Sequence, residues 1–164
     1  SSCCCATQMF KIMEFLRKNL LSLERLYRIK GASRVEFRGH MKNMFLVDLN
    51  HLEIRLTPLE KSVYHLFINH PEGILPNSIL DVKEELRTLY GNFYNGNNLA
   101  QFNNSIEDLC NYMNASMQEK VSSIKRKIID AVGSRLAEYY IITRDNDNRY
   151  KIKLERKLIT YKKK

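Results

Sequence analysis

Long uninterrupted hydrophobic runs are absent from this 164-residue chain. A transmembrane helix needs about 18 or more consecutive apolar residues, so we expect no membrane span and no membrane partner. The first residues also lack the basic region and apolar core of a signal peptide. These absences predict a soluble, cytoplasmic protein.

Cysteines are few and poorly spaced for a metal site or a disulfide framework. Cys3, Cys4 and Cys5 are consecutive, and the remaining Cys110 stands alone in an amphipathic pattern. Neighbouring cysteines rarely build a framework, and no CxxC or spaced Cys/His pair suggests zinc. We therefore expect no metal and no cofactor, place Cys110 in the core, and interpret the triplet as a disordered end.

Recognisable catalytic patterns are missing as well. The sequence has no glycine-rich phosphate loop, no GxSxG, no HExxH, and no paired acids or Cys/His set at a familiar spacing. This excludes the common enzyme classes, and we predict a protein that is not an enzyme.

Positive charge, by contrast, is abundant and unevenly placed. The formal net charge is +9, and residues 120–164 carry fourteen Lys/Arg against five Asp/Glu. Residues 57–119 carry three against eight, so the middle of the chain is acidic. A directional positive field steers a protein towards phosphate or an anionic surface.

Residues 7–30 show the longest helical pattern and end at Gly31. Apolar residues recur at spacings of four and three, which is a heptad seam: Met9, Met13, Leu16, Leu20, Leu23 and Tyr27. Additional apolar positions widen this stripe, so the helix can pair with a second copy in a homodimer or pack against its own domain. We divide the chain into a helical extension over 1–31 and a domain over 32–164 with a C-terminal basic tail.

Residues 34–56 alternate in hydrophobicity and predict three short strands in a meander. Thr57, Pro58 and Glu60 then form a capping-box pattern that begins a helix. His65 and His70, on this helix and at its end, are interpreted as surface or cap residues.

A second helix is predicted from Pro76, and its early acidic residues Asp81, Glu84 and Glu85 suit a helix N-terminus but not DNA phosphates. Residues 91–104 are rich in Asn and Gly and predict a long loop, a candidate surface for a protein partner. A short helix over 105–113 follows.

The segment 118–153 indicates a basic helix followed by a β-hairpin. Ser116 and Glu119 are spaced as another capping box. The apolar stripe consists of Val121, Ile124, Ile128 with Ile129, and Val132, which leaves the cations off it. After Gly133 the periodicity becomes that of a strand, with turn residues at 145–148.

This order of elements resembles the OmpR/PhoB-type winged-helix effector domain of bacterial response regulators. The residues that carry the resemblance are Leu52 to Glu60, Val63, Leu66, Phe67, Gly73 to Leu75, Val121, Ile124, Arg126, Lys127, Thr143, Arg144, Tyr150 and Ile152. It implies an α+β fold, a winged helix-turn-helix with a small N-terminal antiparallel sheet, here preceded by an extra N-terminal helix. Departures from the family are a longer loop before the basic helix, Asp145 to Asn148 where glycines are usual, and no receiver domain.

The resemblance implies a DNA-binding transcriptional regulator with double-stranded DNA as its partner. The basic helix would enter the major groove and the hairpin would follow the backbone. The residues expected to contact DNA are Lys120, Ser122, Ser123, Lys125, Arg126, Lys127, Arg144, Arg149 and Lys151. Ser123, Arg126 and Lys127 are expected to project outward together. The alternative is a winged-helix protein-interaction module that does not bind DNA.

Overall fold

The computed structural model describes residues 2–29 and 31–163, with side chains for 5–18 and 31–163. The chain is a mixed α+β protein with a small sheet. Its helices are α1 (Ser2–Ile29), α2 (Pro58–Asn69), α3 (Lys83–Phe93), α4 (Leu99–Cys110), α5 (Ser116–Val132) and α6 (Ser134–Ala137). Its strands are β1 (Val35–Arg38), β2 (Asn43–Leu46), β3 (Leu52–Ile54), β4 (Ile142–Arg144), β5 (Tyr150–Ile152) and β6 (Ile159–Lys162).

The predicted meander is confirmed, and a fourth strand extends it. β1, β2 and β3 pair antiparallel, and β6 joins the other side of β1 in parallel, so the order is β3-β2-β1-β6. Phe37 lies opposite Tyr161, and Arg38 lies opposite Lys162. The C-terminal segment that we interpreted as a basic tail therefore contains a strand of the main sheet.

Helix α2 begins as its sequence predicts. Thr57 accepts a hydrogen bond from the Glu60 amide, and Glu60 accepts one from the Thr57 amide, which completes the capping box. At the other end, the Arg156 guanidinium donates to the Phe67 and Ile68 carbonyls, 3.0 and 2.8 Å away. Since the last carbonyls of a helix lack partners within it, Arg156 satisfies groups that would otherwise be unpaired.

Core packing surrounds α2 on all sides rather than along one stripe. Residues Glu60 to Ile68 are all buried, including His65, which is only 2% exposed. The prediction that His65 is a surface or cap residue is therefore wrong, because its ring packs against Phe37 of β1 and Phe93 of α3, with centroids 4.5 and 5.7 Å away. His70 does occupy the C-cap of α2.

A buried tyrosine pair joins distant parts of the chain. The Tyr140 hydroxyl accepts a hydrogen bond from the Ser33 amide at 2.6 Å, and the Tyr64 hydroxyl donates to the Tyr140 carbonyl at 2.8 Å. Burial raises the pKa of Tyr140 to about 12, so the hydroxyl stays protonated and able to donate. This contact links the start of the sheet to α2 and to the segment before β4.

The hairpin pairs β4 with β5, as the sequence predicts, and it has a third partner. The expected change to a strand directly after Gly133 is wrong, because α6 follows that glycine and β4 begins only at Ile142. Ile74 exchanges two backbone hydrogen bonds with Tyr150, both 2.9 Å long. Gly73 precedes this bridge with φ +83°, and an added Cβ would lie 2.9 Å from Cβ of Arg149. The bridge fixes the hairpin against the segment that follows α2.

The region between α2 and α5 differs from prediction in three ways. Pro76–Val82 is a 3₁₀ helix, and the α-helix begins only at Lys83. The expected loop over 91–104 is wrong because α3 extends to Phe93 and α4 begins at Leu99, where the Asn98 side chain accepts from the Gln101 amide. Only residues 94–98 lie between the two helices.

Phe102 explains why that loop is short. Its ring stacks on Tyr90 with centroids 4.8 Å apart, so the isolated aromatics of this segment pack helix against helix. Burial of an aromatic pair outweighs the weak helix preference of the surrounding Asn and Gly residues.

Helix α1 is longer than predicted and includes the cysteine triplet, so interpreting Cys3 to Cys5 as disordered was wrong. Its backbone approaches the 3₁₀ turn Val47–Leu49. Of the heptad seam, Met9, Met13 and Leu16 are 65%, 64% and 49% exposed, while Leu20, Leu23 and Tyr27 lie outside the described side chains. Cys110 is buried in the core, as predicted.

Candidate nucleic-acid interface

Helix α5 presents two different faces to its surroundings. Val121, Ile124 and Ile128 are buried, and Met117 continues their stripe. The α-helical repeat of 3.6 residues places other side chains on the opposite face. Ser122, Lys125 and Arg126 are exposed there or on its flank. The stripe predicted from spacing therefore faces the core, with Ile129 and Val132 partly buried at its edge.

The first turn of α5 is not capped as predicted. Ala115 is the N-cap and makes no side-chain hydrogen bond, so the Ser116–Glu119 capping box does not form. The Asn114 side chain instead accepts from the Ser116 amide at 3.0 Å. An Asx-type turn at Asn114 thus satisfies the Ser116 amide, which the predicted capping box would have paired with the Glu119 side chain.

Lys125 and Arg126 are the most exposed cations of α5. Within the described part of the chain, neither side chain has a hydrogen-bond or ion-pair partner, and both are exposed. Lys120, five residues before Lys125, is half-buried. Glu119 and Asp130 are also exposed, seven residues before and four after Arg126, which places them on the same face. The cationic part of that face is thus limited to its middle turns.

The prediction that Ser123 and Lys127 project outward with Arg126 is wrong. The Ser123 hydroxyl donates to Oε1 of Glu60 at 2.8 Å, and the Lys127 ammonium donates to Oε2 at 2.6 Å. The two side chains lie on the flank of α5 that faces the first turn of α2. Ser123 and Lys127 are therefore engaged within the protein.

The sequence pattern predicts only one role for Glu60, in the capping box of α2. Its side chain is buried and accepts from Ser123, Lys127 and the Thr57 amide. Burial by itself would raise the pKa of Glu60, but the hydrogen bonds from Lys127, Thr57 and Ser123 outweigh it and lower the pKa. Glu60 is thus an ionised carboxylate that joins α2 to α5. No signal in the sequence connects residues 60 and 127.

The three predicted hairpin cations differ in their exposure to solvent and in the partners that they contact. Arg144 is exposed, lies 4.7 Å from the centroid of the Tyr150 ring and donates to its hydroxyl at 2.8 Å. Arg149 is half-buried and donates to the Gly73 carbonyl at 3.3 Å. Lys151 forms an ion pair with Asp145 at 3.1 Å. Arg144 is the most accessible of the three.

The tip of the hairpin is built by Asp145 rather than by glycine. Its Oδ1 accepts from the amides of Asp147 and Arg149, both at 2.9 Å, and Asn148 takes φ +63°. Asp and Asn favour such turns because their side chains bond the local backbone and because Asn tolerates the left-handed region. The backbone hydrogen bond from Arg149 is the main cause that lowers the pKa of Asp145. Two carboxylates therefore accompany the cations at the tip.

The acidic residues of α3 are partly engaged by neighbouring side chains. Glu85 accepts from His70 at 2.7 Å and from Asn69 at 3.0 Å, and Glu84 lies 3.6 Å from Arg87. Burial opposes protonation of His70, but its hydrogen bonds to Glu85 and Glu72 raise its pKa overall. These contacts connect the C-terminus of α2 to the start of α3.

Compared with protein-family models, curated proteins and solved structures, the chain gives no match. Its function is therefore inferred from geometry and charge. Among the described residues, no helix combines the length and apolarity needed to cross a membrane, and no group of three or more His, Cys, Asp or Glu residues could hold a metal ion.

Proposed function

We propose that this chain binds double-stranded DNA as a winged-helix protein, with α5 in the major groove and the β4–β5 hairpin along the backbone. The observation that carries the proposal is the exposure of Lys125 and Arg126 in the middle of α5, where neither has a partner among the described side chains. Ser122 lies one turn before Arg126 and is also exposed. Such a face suits a groove lined by base edges and phosphates.

The order of elements supports the same proposal. Helix α2, the bridge at Ile74, helix α3, helix α5 and the hairpin occur in the order expected of a winged helix, with α4 inserted between α3 and α5 and the short α6 before the hairpin. The bridge holds the hairpin next to the helical part, and α5 packs on α2 through Glu60. With the resemblance to OmpR/PhoB-type effector domains, this supports a role in bacterial transcription regulation.

Roles within the interface follow from side-chain chemistry and exposure. Arg126 is the best candidate for a bidentate contact with guanine, worth about 1 to 3 kcal/mol of discrimination between bases. Lys120, Lys125 and Arg144 would contact phosphates. Arg149 and Lys151 would also do so once DNA phosphates replace the partners that these two side chains have in the free protein. About five such contacts predict a slope of roughly −4 to −5 for log K against log salt.

Electrophoretic mobility of duplex DNA at low salt tests the proposal. The wild-type chain should shift a generic duplex, and Lys125→Glu and Arg126→Glu should each weaken binding about tenfold or more, because each reverses a charge at the contact. Lys157→Glu, a charge reversal at an exposed lysine outside α5 and the hairpin, is the matched control. If the wild-type chain gives no shift, or if the control weakens binding equally, the DNA proposal fails.

A protein-interaction module is the second candidate, and exposed apolar side chains support it. Leu99, Tyr112 and Met113 are 71%, 64% and 78% exposed near the ends of α4. An interaction surface of this kind requires apolar side chains that water contacts in the free protein. Absence of any DNA shift with the fold intact would favour this candidate.

We also propose that α1 pairs with α1 of a second copy. Met9, Phe10, Met13 and Phe15 are all more than 60% exposed, and pairing would remove this apolar surface from water. Light scattering should give a dimer for the full chain and a monomer after the double substitution Met9→Lys and Met13→Lys. A monomeric wild-type chain at high concentration would exclude this pairing.

A further inference from the structure

A groove of about 740 Å³ opens where the parallel strands β1 and β6 end together. Phe37 and Tyr161 form its aromatic wall, with ring centroids 5.3 Å apart and planes 25° from parallel. Tyr161 remains 52% exposed, so part of its ring is open to solvent. This volume is typical of small-molecule sites, and an open aromatic ring can stack on a planar group.

Positive charge surrounds this aromatic wall. Lys42, Lys162 and Lys163 line the groove together with His40, and none of its described lining residues is acidic. The Lys42 ammonium lies 5.4 Å from the centroid of Tyr161. Lys162 pairs with Glu36 at 3.1 Å, yet its side chain is 62% exposed and able to contact a second anion. The groove therefore offers a stacking surface with several cations beside it.

Backbone hydrogen bonds hold these groups in place. The Gly39 amide donates to the Lys162 carbonyl at 2.9 Å, which ties the β1–β2 turn to β6. Within that turn the Lys42 amide donates to the Gly39 carbonyl at 3.1 Å, and Lys42 takes φ +47°. Because the turn and the strand are fixed to each other, a ligand would meet a site that is largely formed before binding.

We propose that this groove binds a nucleotide, with its base stacked on Tyr161 and its phosphates between Lys42, Lys162 and Lys163. A nucleotide combines a planar ring with adjacent negative charge, which matches a wall of one aromatic face and a rim of lysines. Lysine suits phosphate because its ammonium is a flexible point charge with three donors. The residues of α5 do not line the groove, so nucleotide binding is independent of the DNA proposal.

Titration of the ¹⁵N-labelled full chain with ATP, followed by amide chemical shifts, tests the proposal. ATP should move the amides of residues 37–42 and 159–163, with saturable binding. Parallel titrations with adenosine and with inorganic tripolyphosphate separate stacking from charge, and each should bind more weakly than ATP. Equal binding of tripolyphosphate and ATP, or ATP shifts confined to α5, would overturn the proposal.

Substitutions around the groove provide the second measurement. Lys163→Gln and Lys42→Asn should each weaken ATP binding about threefold to tenfold; Asn is chosen at residue 42 because it tolerates a positive φ. Tyr161→Phe should retain binding, since the ring remains, and Tyr161→Leu should weaken it.

Lys157→Gln is the matched control, because it removes a positive charge from an exposed lysine near β6 that does not line the groove. It should leave ATP binding unchanged, and a loss as large as that of Lys163→Gln would show only general attraction to a basic protein. Preserved amide spectra of each free variant establish that the fold is intact.

Discussion

The Lys127 ammonium lies 2.6 Å from Oε2 of Glu60, and this ion pair fastens α5 to the first turn of α2. Glu60 is only 3% exposed, so the pair lies at the boundary of the core. A residue that the sequence suggested for DNA contact is thus engaged inside the protein. Its replacement should affect stability first.

Lys127→Met should lower the free energy of unfolding by about 1 to 3 kcal/mol. The change leaves Glu60 buried without its cation, and an uncompensated buried charge is destabilising. Urea unfolding measures the loss. Lys125→Met, on the exposed side of the same helix, should change stability by no more than about 0.5 kcal/mol. Similar losses in both variants would contradict the role of the Glu60 contact.

The same contact predicts a dependence on acid. Because the pKa of Glu60 is lowered in the folded protein, its contribution is present above the ordinary value of 4.5. It is lost as pH falls through the folded pKa, where the carboxylate becomes protonated. The stability difference between wild type and Lys127→Met should therefore shrink below about pH 4.5.

Asp145→Asn should strengthen DNA binding without disturbing the hairpin. Asn keeps the Oδ1 acceptor for the amides of Asp147 and Arg149 and removes the charge that pairs with Lys151. Lys151 would then be free to contact phosphate, and we expect a gain of about twofold to fivefold at low salt.

A mobility-shift titration measures that gain, and it should diminish as salt rises. Asp147→Asn, a charge removal at the same tip without an ion pair to Lys151, is the control for general charge. An equal gain in both variants would mean that freeing Lys151 is not the cause.

His65 predicts a loss of stability in mild acid. Burial is the main reason that its pKa falls to about 3, with Lys42 and Lys61 adding to the effect. The unfolded chain therefore binds a proton from about pH 6.5 downward while the folded protein does not, so stability falls as pH falls below 6.5. The slope of the free energy of unfolding against pH should approach about 1.4 kcal/mol per pH unit.

Urea unfolding between pH 6 and pH 5 isolates this contribution. His70 has a raised pKa, so its own contribution is already fully present below pH 6.5 and adds no slope there. His65→Leu should reduce the change of the free energy of unfolding with pH over this interval, whether the variant is more or less stable than the wild-type protein. An unchanged slope in the variant would assign the effect to other groups.

Gly73→Ala should destabilise the protein by about 2 kcal/mol or more. Residue 73 has φ +83°, and a Cβ there would lie 2.9 Å from Cβ of Arg149 and 3.0 Å from the Tyr150 carbonyl oxygen. The same substitution at Gly91, inside α3 with open space around it, should stabilise by about 0.5 to 1 kcal/mol. Thermal unfolding of both variants checks the opposite signs.

Short-range patterns predicted much of the local structure. The capping box of Thr57, Pro58 and Glu60 depends on residues three apart, and it forms as expected. The meander of β1 to β3, the hairpin over 142–152 and the buried stripe of α5 also follow from periods of two and 3.6 residues. These features are determined by neighbours along the chain.

Contacts between distant segments could not be predicted in this way. Periodicity places Ser123 and Lys127 off the apolar stripe of α5, but it does not say which element covers that flank, and Glu60 does. It likewise gives no partner for Ile159 to Lys162, which pair with β1 more than 100 residues earlier in the chain. His65 is buried because Phe37, 28 residues before it, and Phe93, 28 residues after it, both pack against its ring.

Local sequence patterns were sufficient to predict an α+β chain, the meander, helices α2 and α5, the hairpin and the concentration of positive charge after residue 120. Which of those charges are exposed depends on tertiary contacts: Lys125, Arg126 and Arg144 are exposed, whereas Lys127 pairs with Glu60 and Lys151 pairs with Asp145. Local periodicity determines which side chains point away from the core face of a helix or strand. The partners and the exposed fractions of those side chains depend on the segments, distant in sequence, that pack next to them.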